Sequence, residues 1–273
     1  MDKVADFRSD LGIALRIAAL RLRGQMQYRF SFWMQIVGNF FINAVEVLVT
    51  WSLFQHFDSL GGWTFEEVLL LHGLAMVMFA LGDTISNGVQ SVPGMIREGT
   101  FDRTLVRPMS VYLQSLVTEV SLRHLGHLTQ GQILLGIALN VAPIEWSTGR
   151  IAWLPVVIIS GAFFFVALFT VEAILAFWTV NGIEAVNAFT YGGSDFGQYP
   201  LSIFRRGMRF LFLWIVPIGF LTYYPALYLL DRDDPLGLPR AASFASPLAA
   251  LLFCLVVRLG WRAALRRYTS TGS

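Results

Sequence analysis

The chain is a succession of long apolar runs broken by short polar stretches, and that alternation limits its fold more than any motif in it. Runs at residues 31–57, 68–88, 111–141, 151–181, 210–230 and 242–261 each approach or exceed the length of about 20 apolar residues that crosses a bilayer as a helix. Backbone N–H and C=O groups find no water in the hydrocarbon core, so a spanning segment must satisfy them internally, and helices do so. Composition agrees: of 273 residues, 55% are hydrophobic and 14% charged, with a mean hydropathy of +0.59. The predicted fold is an all-α integral membrane protein with six transmembrane helices, a single transmembrane domain over residues 1–273.

Charge placement orients it. Of 20 Lys and Arg, six fall in residues 1–30, three in 88–110, three in 182–209 and four from Arg258 onward. Asp58, Glu66, Glu67, Glu145, Asp231, Asp233 and Asp234 occupy the intervening segments. The positive-inside bias then sets both termini, residues 88–110 and residues 182–209 in the cytoplasm. Residues 1–30 read as an interfacial helix lying in the membrane plane, with Leu11, Leu15, Ala18, Leu22 and Met26 on one face and Arg16, Arg21 and Arg23 off it. A net charge of +2 needs no nucleic acid to explain it.

The polar stretch at residues 88–110 is built, not merely loose. Pro93 can open a short helix bearing Val92, Met95 and Ile96 on one side, and Gly99 can end it before a second turn with Phe101, Leu105 and Val106. Arg97, Glu98, Asp102, Arg103 and Arg107 ring that apolar face, as a docking element requires. On this reading Met95, Ile96 and Phe101 enter a groove of a partner.

Polar residues inside the runs are the second signal. Gln35, Asn39, Asn43, Glu46 and Thr50 fall within one arc of the first run, and His72, Met76, Asp83 and Asn87 share a face of the second. A carboxylate at membrane depth is costly unless it faces water or a partner, so Asn39, Asn43, Glu46, His72, Met76 and Asp83 are read as a translocation path or subunit interface. Glu119 and Arg123, four apart, are expected to form a structural ion pair on one helix. Glu172 stands alone in the fourth run.

Several chemistries are excluded. Lys3 is the sole lysine, so the phosphate-cradling loop that needs a lysine after its glycines does not occur. Zinc-protease and nucleophile-elbow patterns are likewise missing, so the chain reads as non-catalytic. His124 and His127 lack a third ligand at metal-binding spacing, and Cys254, the single cysteine, can form neither an intrachain disulfide nor a thiolate metal cluster. Intramembrane carboxylates also suit a secondary transporter or channel, but that alternative leaves the docking stretch unexplained.

The order of features resembles the permease subunits of ATP-binding cassette transporters of the type-2 export class. Gly99, Phe101, Asp102, Leu105, Arg107 and Pro108 reproduce the G-x-F-D-x-x-L-x-R-P sequence of a single-domain, six-span branch, followed by Tyr199-Pro200, residues 215–226 and the closing RRYTSTGS. The resemblance implies an exporter of the bacterial cytoplasmic (inner) membrane whose path forms between two like or paralogous permease chains. It implies a separate P-loop ATPase subunit carrying ATP and Mg, with no cofactor in this chain. It makes residues 92–107 the coupling helix (Val92, Met95, Ile96, Arg97, Glu98, Gly99, Phe101, Asp102, Arg103, Arg107) and residues 231–247 an outer re-entrant segment.

Overall fold

The computed structural model of the protein describes residues 12–13, 16–17, 19–20, 29–119, 123–178 and 183–268, which are helical or turn, with no strand beyond an isolated bridge between Leu60 and Trp63. Most of the expected interfacial helix lies outside the described residues; Gly12, Ile13, Arg16, Ile17, Ala19 and Leu20 are helical. Three described helices are long and apolar enough to cross a membrane, Phe65–Arg97, Thr148–Ala176 and Ser246–Arg267, and a bent pair at Arg206–Ile215 and Ile218–Leu229 brings the count to four if it is one span.

Helix α1 (Arg29–Phe54) has 26 residues, roughly 39 Å at the helical rise. Helix α2 (Phe65–Gln90) begins with a capping box: the Thr64 hydroxyl accepts from the Glu67 N–H at 3.5 Å and the Glu67 carboxylate accepts from the Thr64 N–H at 2.9 Å. α2 is buried along most of its length, with Val68, Leu70, Leu71, Leu74 and Met78 fully enclosed and the polar His72, Asp83 and Asn87 buried with them. It does not stop at Gly88 as its sequence suggests. After Ser91 it runs into α3 (Val92–Arg97), and the two together span 33 residues.

After the short α4 (Asp102–Leu105) come α5 (Val111–Thr118), α6 (Arg123–Val141), α7 (Thr148–Ala176), α8 (Ile183–Gly197), α9 (Arg206–Phe210), α10 (Tyr223–Leu229) and α11 (Ser246–Arg267). α2 packs on α6 and α7, and α7 on α11. Because lipid is as apolar as leucine, such helices associate through close packing at small residues. A Cβ on Gly88 would stand 2.2 Å from the Ser115 carbonyl oxygen, so only glycine lets α2 and α5 meet there.

The expected third span is two helices. Glu119 is extended (φ −129°, ψ 127°) and exposed, which removes the helical i,i+4 geometry that the Glu119–Arg123 pair required; the Arg123 side chain lies outside the described residues. The one-helix assumption came from hydropathy, which does not register a break between two apolar pieces.

The expected fifth span is also corrected. Residues 210–230 are not one rod but two arms bent by 73° around Pro217, which has no N–H for the helical ladder. Both arms leave from the same end of the bundle. Ile203, ahead of the first arm, sits against Gly61, and Tyr223 and Tyr228 of the second lie beside Trp63 and Arg150. The chain reaches that end through α8, whose following Tyr199 hydroxyl meets Thr50 Oγ1 at 3.3 Å. Arg205, Arg206 and Arg209 therefore share an end with Gly61 and Arg232, not the opposite one that counting basic residues assigns. The segment that doubles back is 206–229, whereas residues 231–247 form a pinned turn and a 3-10 helix (Arg240–Phe244) leading into α11.

Candidate functional site

The stretch between α2 and α5 is held by its apolar side. Val92 and Ile96 of α3, and Phe101 in the turn before α4, are buried among Ala173, Ile174, Trp261 and Ala264, from the far ends of α7 and α11. The Phe101 ring meets Phe177 at 5.4 Å and Tyr268 at 5.3 Å, both edge to face. Phe177 in turn meets Trp261 at 5.8 Å, and Trp261 meets Tyr112 at 5.4 Å, so one aromatic cluster joins this stretch to α5, α7 and α11. Tyr112 also shares a hydrogen bond with Thr170 at 3.1 Å.

Gly99 makes the turn possible. Its φ of +68° lies in the left-handed region, and the chain there folds back so that the Thr100 and Phe101 N–H groups both donate to the Met95 carbonyl, at 2.9 and 3.2 Å. Phe101 is thereby turned inward, while Arg103, Leu105, Val106 and Arg107 face outward. Arg97, Glu98, Arg103 and Arg107 are exposed, Met95 and Asp102 are half-buried, and Leu105 and Val106 stand out at 41% and 83% exposure.

This corrects the expected docking face. Val92, Ile96 and Phe101 do not await a partner, because the chain supplies the groove they fill; amphipathic spacing identifies an apolar face but not what covers it. Leu105 and Val106, expected on the second turn but not among the docking residues, are the apolar side chains left exposed. Their position directly before Arg107-Pro108, where a helix ends, was the available signal.

The polar stripes divide. His72, Met76 and Asp83 are buried in α2 within this chain's own packing, and Asp83 accepts from the Gln90 amide at 2.8 Å. The His72 imidazole keeps an unbonded Nε2. Glu46 is exposed on α1, where it faces the like charge of Asp195 on α8. Thr50 donates to the Glu46 carbonyl at 3.1 Å. The side chains of Gln35, Asn39 and Asn43 lie outside the described residues. Glu172 is buried in α7. Among the described residues no group of three His, Cys, Asp or Glu could hold a metal ion.

At the opposite end, the turn before α2 and the turn after α10 are clamped. Arg232 pairs with the buried Glu67, donates to the Gly62 carbonyl at 2.8 Å and lies 4.8 Å over the Trp63 ring. Asp234 accepts from the Tyr223 and Tyr224 hydroxyls and from the Leu236 and Leu238 N–H groups, at 2.9 to 3.3 Å. Arg150 adds a bond to the Tyr228 carbonyl at 3.1 Å and a contact with Asp231 at 3.5 Å.

The site is thus a buried helical core with a connecting stretch anchored to it by Phe101 and edged with exposed charges. The model of one protein family, described as ABC-2 family transporter protein, matches residues 40–272. The chain belongs to the ABC-2 transporter family. This ABC-2 family protein is a multi-pass membrane protein and a non-catalytic permease component of an ABC transporter, and membership implies association with an ATP-binding subunit. No curated protein and no solved structure matches the chain.

Proposed function

We propose that this ABC-2 family protein is the permease of an ATP-driven exporter, paired with a like or paralogous permease chain and powered by a separate P-loop ATPase that docks at residues 97–107. The observation that carries this reading is the construction of that stretch: Phe101 is locked into the aromatic cluster while Arg97, Glu98, Arg103, Leu105, Val106 and Arg107 project from the other side. A partner gripping Val106 and its arginines pulls on a rigid handle. Movement of the handle passes through Phe101 to Phe177 and Tyr268, and so to the inner ends of α7 and α11, rather than dissipating in a loop.

Six passes in this reading are α1, α2, α5 with α6, α7, α8 and α11, with both termini cytoplasmic in a bacterial inner membrane. The bent pair at residues 206–229 enters the outer leaflet and returns. Glu46 and Asp195 stand exposed on neighbouring helices at membrane depth; lipid contact there costs about 2.5–3.5 kcal/mol for a central acidic residue on insertion scales, which favours an aqueous path or a second chain against this face. The export direction rests on the motif resemblance.

The test is co-expression with a P-loop ATPase encoded beside this protein, followed by pull-down and ATP hydrolysis in reconstituted vesicles. Val106→Asp and Arg103→Glu should lose the ATPase while the permease still inserts and folds. Retention of the ATPase by both, with normal hydrolysis, would overturn the docking assignment.

A further inference from the structure

The end of the molecule that carries the Arg232 clamp also holds a cavity between the first arm of the bent pair and the turn at Leu236. It has a volume of about 380 Å³ and is lined by Arg206, Arg209, Phe210, Leu213, Trp214 and Leu236. That volume lies within the range of about 300–1,000 Å³ common to small-molecule sites. Its walls combine two guanidinium groups with aromatic and aliphatic side chains, the composition that suits an amphiphile with a negative head.

The charge balance of this end separates these arginines from their neighbours. Arg232 is paired with Glu67, Arg150 with Asp231 and Arg240 with Asp233, and Asp234 is occupied by two hydroxyls and two backbone N–H groups. Arg206 and Arg209 have no carboxylate partner among the described residues. Arg209 Nε donates to the Phe204 carbonyl at 2.7 Å, which fixes the guanidinium at the cavity wall and leaves its terminal nitrogens for another acceptor. Beside them Phe210 and Trp214, one helical turn apart, are 59% and 60% exposed. Arginine and tryptophan on one short arm are residues that settle at the membrane interface, with the ring at headgroup level and the charge toward phosphate.

We infer that this cavity binds the headgroup of an anionic phospholipid of the surrounding bilayer, with Arg206 and Arg209 on the phosphodiester and the acyl chains lying along Phe210 and Trp214. The lipid would brace the first arm of the bent pair against the turn at Leu236. This goes beyond the permease reading and stands whether or not an ATPase docks at the other end.

The experiment uses the full chain in a non-ionic detergent, titrated with dioctanoyl phosphatidylglycerol or the zwitterionic dioctanoyl phosphatidylcholine, with bound lipid counted by native mass spectrometry. Both lipids offer the same phosphodiester, so the choice between them falls to the choline ammonium, which the two guanidinium groups repel and phosphatidylglycerol lacks; wild type should bind phosphatidylglycerol about tenfold more tightly than phosphatidylcholine. Arg206→Gln should remove most of that preference, and Arg205→Gln, which changes an adjacent arginine outside the cavity, should keep it. Arg209→Gln also breaks the bond to Phe204, so Arg206→Gln, whose side chain is exposed, decides the matter if the Arg209 variant unfolds. Equal affinity for the two lipids in wild type, or the same preference in Arg206→Gln as in Arg205→Gln, would overturn the assignment.

Discussion

Phe101 offers the sharpest distinction between an anchor inside the chain and an anchor for a partner. Its side chain is fully buried and makes edge-to-face contacts with Phe177 and Tyr268. Phe101→Leu keeps most of the volume and loses both ring pairs, each worth about 0.5–1.5 kcal/mol beyond area burial, so it should cost about 1–3 kcal/mol. Phe101→Ala adds a cavity and should cost about 3–5 kcal/mol. Cys254, the sole cysteine and half-buried, gives a convenient readout: a thiol-reactive fluorophore reports its exposure as the purified protein is heated. Each kcal/mol corresponds to about 2–4 °C for a domain of roughly 150–250 residues, so Leu should lower the midpoint by several degrees and Ala by more. ATPase capture measured below those midpoints should remain near wild type for Phe101→Leu. The reasoning fails if Phe101→Leu releases the ATPase while its midpoint is unchanged, because the ring would then touch the partner and not Phe177 and Tyr268.

Val106→Asp should show the converse, an unchanged midpoint with loss of captured ATPase, since its side chain is 83% exposed and touches little of its own chain. Gly99→Val places a β-branched residue at φ +68°, a strain of about 1–2 kcal/mol, whereas Gly99→Asn should be tolerated; comparing hydrolysis and transport of the two in vesicles checks whether the turn geometry matters for coupling. Arg232→Met strands the buried Glu67 carboxylate and should cost roughly 1–3 kcal/mol in the same thermal assay, while Arg240→Met, at a fully exposed pair, should change nothing measurable. In a background lacking Cys254, Gly207→Cys should react with an impermeant thiol reagent from the same side as Ser59→Cys and from the opposite side to Gly99→Cys; if Gly207→Cys labels with Gly99→Cys, the relocated arginine cluster is wrong.

Much of the molecule is legible in the order of its residues. The cores of α2, α7 and α11 follow from uninterrupted apolar runs, because hydrogen-bond satisfaction in lipid leaves helix as the only open-ended solution. Gly99 as a turn residue follows as directly, since only a residue without Cβ enters the left-handed region at low cost, and its φ of +68° matches. The lack of a nucleotide-binding lysine is a property of composition alone.

Tertiary structure decided what each apolar surface meets. Hydropathy sees the length of a run but not its direction, so residues 210–230 read as a crossing until Pro217 and the Gly61 contact with Ile203 show the chain turning back on itself. The arginines at 205, 206 and 209 move with it: the contact of Ile203 with Gly61 sets them at the end of the bundle that carries Trp63 and Arg232, a placement that no count of basic residues encodes. Phe101 makes the same point at the scale of one side chain. Spacing shows that it belongs to an apolar face; whether that face is covered by Phe177 and Tyr268 or by another protein depends on residues 76 and 167 positions away in the chain. Those contacts are long-range, and no local pattern around residue 101 encodes them.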